Sequence, residues 1–163
     1  MADAFLEQIR KNHEYDYWAN DQYVKALQEM PEPPEKAVKI LSHILFALGV
    51  WLARLKKEDL SGYKDPNPSY TLAECRQKLD ELHEKWRGYL AALTPGELAG
   101  TFTAPNTQGK LSEHKVQNVL FQVFTHSHYH RGQLATLVHQ GGGKRPGTDY
   151  IAYAYAIGES KFV

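Results

Sequence analysis

Residues 121–134 read FQVFTHSHYHRGQL. His126 and His130 are four apart, and on a helix that spacing stacks two side chains on one face. Two imidazoles one turn apart form half of a metal site. His128 lies two positions from each, about 160° away on a helix of 3.6 residues per turn, and is expected to face solvent. Working outward, Val116, Val119, Val123, His126, His130, Leu134 and Leu137 keep helical period across a predicted helix over 113–140. Both histidines therefore stand where the pattern asks for leucine. Burying an imidazole is costly unless both ring nitrogens are engaged. A divalent ion engages one nitrogen of each ring, and neighbouring acceptors take the other.

The rest of the chain supplies further helices. Over 4–29, the stripe Leu6, Ile9, His13, Tyr17, Asn20, Val24 and Leu27 marks one inward face, and PEPPE at 31–35 ends that helix. A second helix is predicted over 34–57, with Leu41, Ile44, Leu45, Leu48, Leu52 and Leu55 giving it a broad apolar face around His43. The loop GYKDPNPSY follows, and Thr71 with Glu74 forms a capping-box pattern. The third helix carries an unbroken seam of Leu72, Cys75, Leu79, Leu82, Trp86, Tyr89 and Leu93, which argues for helix packing. Thr94-Pro95-Gly96 is expected to end it. Residues 97–111 are expected to be a hairpin around NTQG or an extended crossover, with Ser112 capping the fourth long helix. Gly141-Gly142-Gly143 ends that helix, and Asp149 is the candidate N-cap of a short aromatic C-terminal helix. The expected architecture is all-α: an antiparallel up-down four-helix bundle with a long crossover between helices 3 and 4, forming one domain over 1–163.

Composition narrows the partners. Lys+Arg and Asp+Glu both number 19, so no basic excess points to nucleic acid. The single cysteine, Cys75, rules out an internal disulfide and a cysteine-rich zinc module. No apolar run approaches the roughly 20 residues of a membrane span, and the first residues show no signal-peptide core. The expectation is a cytoplasmic protein without a membrane or nucleic-acid partner.

Each candidate group has a plainer alternative. His43 alone reads as a hydrogen-bonded core histidine; beside His126 and His130 it is the candidate third ligand. His13 is expected to be a wetted rim residue, with a reserve ligand or proton carrier as the alternative. His83, His114 and His139 are expected at the surface, and Cys75 in the core. Arg131 suits a surface salt bridge, or a guanidinium that holds a carboxylate or thiolate beside the site. No Gly-x-Ser-x-Gly motif and no phosphate-cradling loop is present. GGGKRPGTD follows a helix and so caps it.

Four tracts together resemble the DinB-like family of DNA-damage-inducible proteins: YDYWAN at 15–20, HILFALGVWLARL at 43–55, HSHYHRGQLATLVHQGG at 126–142 and KRPGTDYIAY at 144–153. The resemblance runs almost end to end and in the family's order. It implies a four-helix bundle with a long crossover, commonly a homodimer. It also implies one divalent metal ion held by His43, His126 and His130; imidazole suits several metals, and nickel, zinc, iron and manganese are the candidates. Some relatives are thiol-dependent transferases or isomerases that use bacillithiol or mycothiol. The expected function is thus a metal-dependent enzyme acting on a small-molecule substrate, such as a thiol S-transferase using a low-molecular-weight thiol. Arg131 and Tyr17 would orient the substrate. A metal-dependent hydrolase is one alternative, and a non-enzymatic, metal-stabilised dimeric stress-response or binding module is another.

Overall fold

The second helix is the most apolar element. In the computed structural model, which describes residues 2–106 and 108–161 (the side chains of residues 2 and 3 excepted), it runs Glu35–Lys56. The helices before it and after it are α1, Ala2–Gln28, and α3, Leu72–Ala92, so the second is α2. Then come a short α4 (Pro95–Ala99), strands β1 (Thr101–Pro105) and β2 (Leu111–Lys115), the long α5 (Val116–Gln140) and α6 (Tyr150–Ala156). The all-α class is as expected, with one small hairpin among the described residues.

The four long helices share one core. Ile9, Val24 and Leu27 of α1, Leu41, Ile44 and Leu45 of α2, Leu79, Trp86 and Leu90 of α3, and Leu120, Leu134 and Val138 of α5 are all almost fully buried. Helices α3 and α5 each pack against both α1 and α2. By length and composition α2 is apolar enough to cross a membrane, which corrects the expectation that no segment comes close. Most of that surface is turned into the core, where a span of hydrophobic residues is equally at home.

Local chemistry explains most of the boundaries. Thr71 accepts from Glu74 N while the Glu74 side chain accepts from Thr71 N, the reciprocal box that starts α3. Thr94 and Glu97 repeat it, so Thr94-Pro95-Gly96 opens α4 as well as closing α3, and residues 95–99 are helical. The hairpin alternative holds for the crossover. Thr101 pairs with Lys115 and Pro105 with Leu111, antiparallel, and Phe102 and Ala104 point into the core. Thr107 of the predicted NTQG turn lies outside the described residues. Ser112 is not a cap: it sits within β2, and α5 begins at Val116 with Lys115 at the N-cap position and no side-chain cap. Pairing with β1 extends the strand past the point where sequence alone starts the helix. At the far end Gly142 takes φ 80°, a left-handed turn that suits glycine, and α5 stops there. Asp149 occupies the N-cap position of α6 without a side-chain capping bond. Helix α6 lies on α1, with Tyr153 packed against Tyr15, Ala19 and Trp18.

Candidate metal centre

His43 on α2 meets His126 and His130 on α5 where these two helices pack together. One ligand nitrogen from each ring lies within 4.8 Å of the others. His43 Nε2 is 3.3 Å from His126 Nε2, and the three ring centroids are 4.5, 4.7 and 5.1 Å apart. All three side chains are half-buried.

Two of the rings are held from behind. His43 Nδ1 lies 2.7 Å from the carbonyl oxygen of Pro66, and His130 Nδ1 lies 2.9 Å from Gln133 Oε1. These oxygens can only accept, so each Nδ1 carries the proton and donates it. Each Nε2 then carries the ring's lone pair, as a metal ligand requires, and that of His43 faces His126 Nε2. Burial, then the neighbouring His130 and His43, lowers the pKa of His126 to about 4, so its ring is uncharged at neutral pH. The donor set suits a divalent cation of the kind that imidazole prefers. Sequence reasoning missed both supporting groups. Gln133 was within reach of it, three residues after His130 on the same helix face. Pro66 carried no signal, because its carbonyl arrives from the loop between α2 and α3.

The two residues proposed to orient substrate lie elsewhere in the bundle. Arg131 is 2% exposed and forms a buried ion pair with Asp16, also donating from Nη1 to Asn20 Oδ1 at 3.2 Å. Asn20 Nδ2 in turn donates to Asp16 Oδ2 at 3.0 Å. The surface salt bridge expected for Arg131 is therefore a buried network between α1 and α5, made because Arg131 is one position round the helix from His130 and faces α1. Tyr17 donates from its hydroxyl to Asp80 Oδ1 at 3.1 Å and stacks on His83 with centroids 3.9 Å apart. Its described partners are on α3, whereas the triad spans α2 and α5.

Other histidines depart from expectation in an informative way. His13 is buried, 4% exposed, not a wetted rim residue. His83 is half-buried against it, not at the surface. His114 is half-buried, edge-on to Trp51, while His128 and His139 are exposed as expected. Cys75 is fully buried, and burial pushes its thiol pKa up, so it stays protonated and unreactive in the core.

This fold and this cluster define a helical protein with a three-histidine site between two helices that could hold a metal ion. The model of the DinB superfamily matches residues 10–134, and the chain belongs to that superfamily. It is 25% identical over 161 residues to Protein DinB of Bacillus subtilis (strain 168), covering 89% of this chain and 92% of that one. A crystal structure of a DinB-like protein from Bacillus cereus ATCC 10987 superposes with a TM-score of 0.59. That match has 19% identity and covers 86% of this chain and 95% of the other. At that identity the superposition speaks for the fold.

Proposed function

We propose that this protein is a metal-dependent enzyme that transfers a low-molecular-weight thiol, an S-transferase built on His43, His126 and His130. The observation that carries the reading is the pair of Nδ1 anchors, Pro66 O and Gln133 Oε1, which leave Nε2 as the lone-pair nitrogen of His43 and His130, with His43 Nε2 3.3 Å from His126 Nε2. A divalent ion in a set of three neutral ligands keeps its full charge, and the chemistry it supplies is a lowered pKa for a thiol or water bound beside it. In the reaction the S–H bond ionises and its proton passes to solvent, sulfur bonds to an electrophilic carbon, and the leaving group departs with the displaced electron pair. Nickel, zinc and iron fit the ligand type best, and manganese, which prefers oxygen ligands, fits it least.

The chain's own residues supply position. His126 and His130 are fixed on one face of α5, and His43 is brought to them by the packing of α2. The buried Asp16–Arg131 pair docks α1 on the other side of α5. That engagement also weighs against the hydrolase alternative. Asp16, the most deeply buried carboxylate of the described residues, is committed to Arg131 and Asn20 and is not available as a general base. The reading extends to a homodimer in the cytoplasm, where small thiols are kept reduced, and light scattering tests the dimer.

The test is turnover by protein reconstituted with each of the four metals, offered a panel of thiols with a chloroarene electrophile and, separately, a panel of esters. Thiol transfer by the wild type, lost in His130→Ala with an unchanged circular dichroism spectrum, is the expected result. Equal turnover by His130→Ala, or ester hydrolysis alone, would contradict it.

A further inference from the structure

A second set of metal-ligand side chains lies between α1 and α3, away from the triad. His13 and Glu14 project from α1 and His83 from α3, and one ligand atom of each lies within 4.8 Å of the others. His13 Nε2 is 3.0 Å from His83 Nδ1, and His83 Nε2 is 3.6 Å from Glu14 Oε2. We propose that His13, His83 and Glu14 form a second divalent-cation site, of the class that takes zinc, nickel or cobalt, which clasps α1 to α3.

Four features support it. First, the spacing is right: metal–nitrogen bonds of about 2.0–2.1 Å put neighbouring donor nitrogens about 3 Å apart, close to the 3.0 Å seen here and the 3.3 Å seen in the triad. Second, His83 is held in place. Its ring stacks on Tyr17, at 3.9 Å and 19°, and meets the nearly parallel His13 ring edge to edge, with centroids 4.9 Å apart, while Tyr17 is itself tied to Asp80. Third, the donors are in usable states. Burial, then the neighbouring His83, lowers the pKa of His13 to about 4, so its ring is uncharged at neutral pH and its one proton can move from Nε2 to Nδ1 to bare the nitrogen that faces His83, and Glu14 brings a carboxylate with 41% of its side-chain surface exposed. On coordination His13 Nε2 gives up its contact with the His83 carbonyl oxygen, 3.2 Å away. Fourth, there is a way in. A cavity of about 620 Å³ reaches His13 and Glu14, though not His83, and sets Glu7 among Arg10, Lys11 and Arg87 along its wall, so solvent and small ions meet two of the three ligands. Two imidazoles and one carboxylate are a ligand set that zinc-class ions accept with a position left open.

The test is metal stoichiometry of the full chain, stripped with chelator and dialysed against zinc at pH 7.5. Wild type is expected to hold two equivalents per chain and His126→Ala/His130→Ala one. His83→Phe, which keeps the stacked ring and removes both nitrogens, is expected to lose one equivalent. Glu14→Gln changes only a partly exposed side chain, leaves the fold intact, and is expected to weaken the second equivalent about tenfold or more. No equivalent retained by His126→Ala/His130→Ala, or a Glu14→Gln variant whose second equivalent binds as in the wild type, would overturn the proposal. The double variant lacks the triad, so what it retains reports on the second site alone.

Discussion

At the scale of single residues, what separates a ligand histidine from a structural one is the partner of its second nitrogen. Gln133 supplies that partner for His130 at 2.9 Å. Gln133→Leu should therefore lower metal affinity at the triad by about 10- to 100-fold with little change in stability, because it removes the ring's anchor and no ligand. Competition titration against a chromogenic chelator would show this, and an unchanged affinity would mean that the ring is positioned some other way. Arg131 makes a different claim. Removing one partner of a buried pair leaves the other charge uncompensated, so Arg131→Met should cost about 3–5 kcal/mol in urea unfolding. The double variant Asp16→Leu/Arg131→Met should recover part of that loss, and a single-variant cost under about 1 kcal/mol would contradict the buried network.

These residues were not equally legible in the sequence. His126 and His130 could be found because they interrupt a leucine stripe at helical period. Arg131 and His83 could not, because each looks like a surface residue along its own helix. Their burial is decided by which neighbouring helix arrives opposite them, and single-helix periodicity holds no record of that.

At the scale of elements, the helix starts divide into those fixed by side-chain chemistry and those fixed by pairing. Thr71 and Thr94 each cap a helix through a reciprocal bond with the glutamate three residues on. Thr71→Ala should cost about 1 kcal/mol, whereas Ser112→Ala should stay within about 0.5 kcal/mol, since Ser112 lies in a strand and caps nothing. Equal losses in the two variants, measured by urea midpoint, would reverse the assignment. The Thr71 box was visible because it precedes a long periodic run. The Thr94 box has the same spacing, but Pro95-Gly96 behind it looks like a breaker, and five helical residues are too few to show a period. The start of α5 was misjudged for a related reason. Ser112 is a good cap by type, yet β1 claims its backbone for the hairpin.

At the scale of the whole molecule, packing turns two histidines into pH-sensitive groups. In the metal-free protein His13 and His126 both have a pKa of about 4, against an ordinary value of 6.5, with burial as the largest cause. The unfolded chain then binds protons that the folded chain refuses, so the stability present above about pH 6.5 is lost as pH falls from there towards 4. Denaturant midpoints of the stripped protein at pH 7.5 and pH 5 should show that fall, and His13→Gln should flatten it; a flat profile in the stripped wild type would contradict the burial of both rings. Adding back metal should raise the melting temperature, since an ion that binds only the folded chain stabilises it. The fold class was open to sequence reading because four long periodic segments leave few alternatives to packed helices. Which helices lie side by side was not, and that arrangement is what brings α2 to α5 and creates the triad.

The most direct test of the central claim is elemental analysis of purified, tag-free protein, wild type beside His126→Ala/His130→Ala, after equal loading. The double variant is predicted to carry one equivalent of divalent metal fewer than the wild type while keeping its helical content. Identical metal content in the two folded proteins would contradict the three-histidine centre and the function proposed from it.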